Sequence, residues 1–152
     1  MALRNIIQIG DETLRKKSFP VTDFGEKTRQ LIDDMKETLI KAEGAGLAAP
    51  QVGVLRRIFI VMVEDEYFEC VNPVIVSQKG RQTGEEACLS VRGRKGTVER
   101  PMKVTVKAQD RFGKPFTVTA SGFLARAFCH EYDHLDGILY IDKAKEIGED
   151  RD

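Results

Sequence analysis

His130 and His134 are the only two histidines of the 152-residue chain, four residues apart with Glu131 directly after the first. On a helix, positions i and i+4 share a face one turn apart, so two imidazole nitrogens can reach one cation. Glu131 lies about 100° around the helix from His130. A carboxylate there can take a proton from a water that the cation has acidified. This is the H-E-x-x-H pattern of metal-assisted hydrolysis, whereas two histidines alone on a solvated helix carry no such meaning. A tetrahedral catalytic site usually has three protein ligands and a water, so the pair leaves one place open. Cys88, in Glu85-Glu86-Ala87-Cys88-Leu89-Ser90, is a candidate for it. The alternative for that thiol is an ordinary core cysteine.

The element carrying the pair must be a helix that faces inward. Ala120 to Leu135 contains no proline, and its only glycine is near the start. Phe123, Ala127, His130 and His134 fall on one stripe, with Leu124, Phe128 and Leu135 on the stripe beside it. Two buried imidazoles without partners would be costly, and a cation satisfies both. A second helix is expected from a cap at Thr22 or Asp23 to about Glu43, with Phe24, Leu31, Ile32, Met35 and Leu39 at helical spacing and Gly44 as its C-terminal stop. Gly44 to Gly53 is small, apolar and nearly chargeless. It reads either as a tight connector or as a wall where backbone approaches a ligand, with Gln51 its one polar side chain. It lacks the Gly-Lys-Ser/Thr of a phosphate loop.

Strands account for much of the rest. Ile58–Val63 is a continuous apolar run, the mark of a buried strand, and 64–66 a turn. Glu69–Ser77 reads as a strand broken at Asn72-Pro73, and 80–84 as a polar loop. The basic stretch 91–100 reads as a largely solvated loop. Met102–Gln109 alternates like a half-buried strand, and after the turn at 110–113 Pro115–Thr119 pairs back on it. Leu139–Ile141 is a short strand or packing segment, and the charged tail after Asp142 is expected to fray. The first 20 residues read as an irregular arm that carries no chemistry.

Composition narrows the function classes. Lys plus Arg and Asp plus Glu are 24 each, so the formal charge is zero. That argues against bulk attraction to nucleic acid or to a membrane surface. No apolar run reaches the ~18 residues of a membrane span, and the N-terminal apolar stretch is too short for a signal peptide. Three cysteines, an odd number, do not form a disulfide framework. A cytoplasmic protein of one domain, residues 1–152, is expected.

Three separated stretches together resemble the signatures of peptide deformylase, the metallohydrolase family that removes the formyl group from the N-terminal methionine of new polypeptides. They are Gly44-Ala-Gly-Leu-Ala-Ala-Pro-Gln51, Glu86-Ala-Cys-Leu-Ser90 and Cys129-His-Glu-Tyr-Asp-His134. The resemblance implies an α+β fold, with antiparallel or mixed sheets packed around a central helix that carries H-E-x-x-H, plus a helix in the N-terminal half. It implies metal ligands Cys88, His130 and His134, with Glu131 as acid–base. Gln51 and the Leu89 N–H would form the oxyanion site, and the backbone of Gly46 would meet the substrate's main chain. The usual ion is Fe2+, with Zn2+, Ni2+ or Co2+ able to replace it. Formyl-methionyl peptides are the implied substrates, transient ribosome contact a further partner, and a monomer the expected state. Helical phase places the methionine side chain against Phe123 and Ala127, with Ala45 or Leu47 opposite. Three positions depart from the family pattern. Ala87 stands for a glycine, Cys129 for a glutamine and Arg92 for a proline. The rival readings are a homologue that binds metal or peptide without efficient turnover, and a zinc peptidase using the same helix.

Overall fold

The computed structural model of the chain describes residues 2–145 and 147–149. Along the chain stand α1 (Glu26–Ala42), β1 (Gly46–Ala48), β2 (Ile58–Val63), β3 (Glu66–Lys79), β4 (Gln82–Cys88), β5 (Val91–Arg100), β6 (Lys103–Gln109), β7 (Pro115–Ser121), α2 (Gly122–His134) and β8 (Ile147–Glu149). The strands form two sheets, ordered β1-β2-β3-β6-β7 and β4-β5-β8. Every strand pair among them is antiparallel, which settles the sheet type that the sequence left open.

β2 is apolar at each position because both its faces are covered. Ile58 and Ile60 point to α1 and meet Ile32, Met35 and Leu39. Phe59 and Val61 point to the other face and meet Ala125, Phe128 and Leu135 from α2 and its end. The Phe128 ring sits edge-on to Phe59, with centroids 5.8 Å apart, and 5.3 Å from Phe68. The large sheet therefore lies between the two helices, and α2 is held centrally by the burial of its apolar face. A third cluster, Leu14, Val91, Val98, Leu139 and Tyr140, packs on the small sheet.

Several local expectations are corrected. The left-handed residue that ends α1 is Glu43 (φ 56°), not Gly44. Gly44 is needed for space instead, since a Cβ there would stand 2.8 Å from Leu89 Cδ1 and 3.1 Å from Leu39 Cδ1. The start of α1 lies at Gly25, with Asp23 accepting from the Gly25 N–H rather than capping the helix. β3 runs through Asn72-Pro73 with a register shift there, Asn72 adopting φ 50°. The stretch 91–100 is a paired strand, and Arg100 is buried within it. The polar loop ends earlier than expected, with β4 beginning at Gln82. Residues 140–142 form a 3-10 turn, so of the two readings of 139–141 the packing segment holds, with Leu139 and Tyr140 in the third cluster. Of the tail, Ile147–Glu149 pairs with β5 in place of fraying, while 146 and 150–152 lie outside the described residues. No helix among the described residues is long and apolar enough to cross a membrane.

Candidate metal centre and its groove

α2 delivers two of the three candidate ligands and the small sheet the third. Cys88 closes β4, immediately before the two-residue turn Leu89-Ser90 that leads into β5. Its Sγ and the reachable nitrogens of His130 and His134 all lie within 4.8 Å of one another. Sγ is 3.4 Å from His134 Nε2, and the two imidazole centroids are 5.2 Å apart. One soft thiolate and two imidazoles make a donor set suited to zinc or iron.

The orientation of His130 is fixed from behind. Its Nδ1 lies 2.9 Å from Glu86 Oε1. Burial pushes the Glu86 carboxyl up, but the Arg100 fork and His130 outweigh it and hold it well below the usual range. An ionised carboxylate only accepts, so Nδ1 carries a hydrogen and Nε2 is the nitrogen left to bind a cation. Tyr140 stacks on the same ring, with centroids 5.9 Å apart and planes 22° apart. Glu86 is the hub of a buried charge cluster. Its two oxygens accept from Arg100 Nε and Nη2, both at 2.9 Å, and from Arg126 Nη1 at 2.6 Å. Arg100 Nη1 continues to Asp133 at 2.7 Å, and Lys143 meets the same Asp133 oxygen at 3.0 Å. None of these charged partners was singled out from sequence. A signal existed for two of them. Arg100 shares the buried face of β5 with Val98, two residues before it, and Arg126 lies one turn before His130 on α2.

Glu131 is buried beside the ligands, and its Oε1 has no hydrogen-bond partner among the described residues. Burial is the main cause that pushes its pKa up to about 7, with His130 pulling down and Glu86 pushing up. A near-neutral carboxyl can both accept and return a proton, and an unsatisfied buried oxygen is what a polar ligand would complete. The residues therefore fit a cation with a water beside it. Gly46 makes room for this carboxylate. A Cβ at residue 46 would stand 2.5 Å from Glu131 Oε2 and 2.8 Å from Cδ.

Gln51 is 1% exposed and locked at both ends. Its Oε1 accepts from the Ala48 N–H (2.9 Å), and its Nε2 donates to Ser90 Oγ (3.0 Å) with Cys88 Sγ at 3.6 Å. The N-terminal arm, expected to carry no chemistry, braces the same parts. Ile7 N–H donates to Gln51 O (2.8 Å), Ile9 N–H to Ser90 O (2.7 Å) and Gln8 Nε2 to Leu89 O (2.9 Å).

A groove of about 350 Å³ opens over these groups. Of the expected contact residues, Ala45, Gly46, Phe123 and Ala127 line it, as do Gln51 and Leu89. Leu47 does not, because it packs fully buried among the α1 residues. Phe123 stands 57% exposed at the rim, not inside the protein as its stripe suggested. The departures from the signatures leave the cluster intact. Ala87 is exposed on the groove wall with no positive φ. Cys129 is buried in the core beside the large sheet, and burial pushes its thiol up to about 11, so it is neither exposed nor thiolate-like. The groove runs between β1 and β4, the outer strands of their respective sheets.

A family model described as Polypeptide deformylase matches residues 3–150. A peptide deformylase of Caldicellulosiruptor bescii is 55% identical over 143 residues, 94% of this chain and 86% of that protein. One of Halothermothrix orenii is 52% identical over 152 residues, covering 99% of each. The crystal structure of a peptide deformylase from Legionella pneumophila superposes with a TM-score of 0.92 at 48% identity, over 95% of this chain and 87% of that one.

Proposed function

We infer the residue roles from one premise: the chain belongs to the polypeptide deformylase family, metal-dependent enzymes that remove N-formyl groups from nascent peptides. Cys88, His130 and His134 hold the ion, with Fe2+ as the resident metal and Zn2+, Ni2+ or Co2+ as substitutes. The observation that carries this reading is the convergence of those three donors within 4.8 Å, beside the unpartnered Glu131 oxygen. Such an ion, when bound, supplies Lewis acidity that lowers the pKa of a water and polarises a carbonyl.

The protein's own groups do the remainder. Glu131 takes the proton of the attacking water and later delivers it to the departing amine, a double task that its raised pKa suits. As the formyl carbon becomes tetrahedral, negative charge grows on its oxygen. The Leu89 N–H and the Gln51 amide stabilise it. Ala48 and Ser90 hold the Gln51 amide in place, and the N–H that faces Cys88 Sγ is the one left to meet that oxygen. The substrate lies extended between the edges of β1 and β4, its main chain meeting Gly46, as a strand added to an open edge. Its methionine side chain enters between Phe123, Ala127 and Ala45.

Every group in this set comes from one chain, which supports action as a monomer. Nascent formylated chains as substrates and a ferrous–thiolate centre place the enzyme in the reducing cytoplasm, in transient contact with the ribosome. Glu131→Gln protein, purified without oxygen, tests the reading. It is expected to keep its fold and metal while formate release from formyl-Met-Ala-Ser falls by roughly 10²-fold or more. Turnover at the wild-type rate would remove Glu131 from its role.

A further inference from the structure

β4 and β5 fall out of step at the groove. Glu86 pairs with Gly96 and Cys88 with Val91. Ala87 alone therefore faces four residues of β5, Arg92-Gly93-Arg94-Lys95, which swing out as an excursion with Gly93 at φ 78°. Three of the four are cationic. Lys95 is engaged by Glu85 at 3.6 Å. Arg94 stands opposite Glu149 in the β5–β8 register. Arg92 is exposed, lines the groove and makes no ion pair among the described residues. It directly follows Val91, the partner of the candidate ligand Cys88. Of the groove's acids, Glu86 is engaged by Arg100 and Arg126, Glu85 by Lys95, and Glu131 is buried beside the candidate ligands. Arg92 thus presents an exposed positive charge along the groove that no ion pair among the described residues engages.

We propose that Arg92, supported by Arg94, selects formylated peptides with a carboxylate side chain on the second or third residue. This rests on the deformylase reading of the site. An extended peptide advances about 3.3 Å per residue with side chains alternating in direction, so residues just past the methionine pass under the excursion. The charge attracts an acidic side chain there and repels a basic one, with the modest strength of an exposed pair. The effect acts on capture of the peptide, not on the proton transfers of Glu131, and so appears in KM.

The test compares holoenzyme turnover of four peptide amides: formyl-Met-Glu-Ala, formyl-Met-Lys-Ala, formyl-Met-Ala-Glu and formyl-Met-Ala-Lys. Amidated ends remove the terminal carboxylate. At low ionic strength the wild type is expected to favour the acidic member of at least one pair by roughly fivefold in kcat/KM, carried by KM. The preference should shrink toward one at about 0.5 M salt. Arg92→Glu should reverse it, and Arg94→Glu should weaken it less. A wild-type ratio of one in both pairs, or a preference that survives Arg92→Glu, overturns the proposal. Formate release from formyl-Met-Ala-Ser amide by the wild type keeps the two readings apart. If it proceeds, a flat panel counts against Arg92 alone; if it is absent, the deformylase reading itself fails.

Discussion

The two walls of the groove are built on opposite principles. The α2 wall places His130, Glu131 and His134 in the interior, in a cluster of paired charges made by Arg126 and Asp133 of α2 with Glu86 and Arg100 from the buried side of β4 and β5. The β4–β5 wall presents Cys88 from a turn, with an exposed cationic excursion beyond it. The first resists change because a buried charge deprived of its partner cannot turn to water. The second tolerates change because its charges are already solvated. The proposed chemistry rests on the stiff wall together with Cys88, and the proposed peptide choice on the soft one.

Removing the hub should break the contrast most severely. Glu86→Gln leaves Arg100 and Arg126 short of their counter-charge and frees the His130 tautomer. A loss of about 3–5 kcal/mol in unfolding free energy is expected by urea titration of the metal-free protein. Metal affinity should fall by roughly 10–100-fold in competition with a chelator. Glu85→Gln, which breaks the exposed pair with Lys95, should cost under about 1 kcal/mol. Equal losses would mean that the buried charge cluster and the exposed charges do not differ.

Gly46→Ala perturbs the stiff wall by geometry alone. The new methyl group displaces the Glu131 carboxylate, and formate release should drop by about 10²-fold with metal content unchanged. Undiminished turnover would show that the carboxylate can move aside at no cost.

The pH dependence of stability sharpens the same comparison. Glu86 has its folded pKa lowered, so its contribution is present above the unfolded value and is lost as pH falls through the folded one. The wild type should therefore lose stability progressively below about pH 4.3, where the unfolded carboxyl takes up its proton first. Glu86→Gln should show a flatter profile over that acid range. Parallel profiles would remove Glu86 from the account.

The smallest effect belongs to the arm. Gln8→Ala deletes one hydrogen bond to the turn after Cys88 and should cost about 1 kcal/mol. KM should rise more than kcat falls, because the turn that meets the peptide is loosened. A change in kcat alone would point to a different linkage.

Local periodicity made α2, β2 and the β6–β7 hairpin readable, since 3.6-residue and 2-residue spacing are properties of a few adjacent residues. The same logic failed at Gly44, where a glycine that reads as a helix stop is required by the side chains of Leu39 and Leu89. It held only in part at 91–100, where Arg92 and Arg94 are exposed as charge density suggested, but the run is a paired strand with Val98 and Arg100 buried.

The sequence by itself determined that two histidines and a carboxylate share one helix, because 100° per residue leaves no other arrangement for that spacing. Its three signatures also pointed to Cys88 as the candidate third ligand. Only the tertiary structure decided that Glu86 orients His130, that Arg100 and Arg126 pay for its burial, and that Gln8 and Ile9 brace the Cys88 turn. Those contacts join groups 14 to 81 positions apart on separate elements. Coulomb attraction and hydrogen bonding act through space, and no periodicity along the chain records which distant partner a charge will meet.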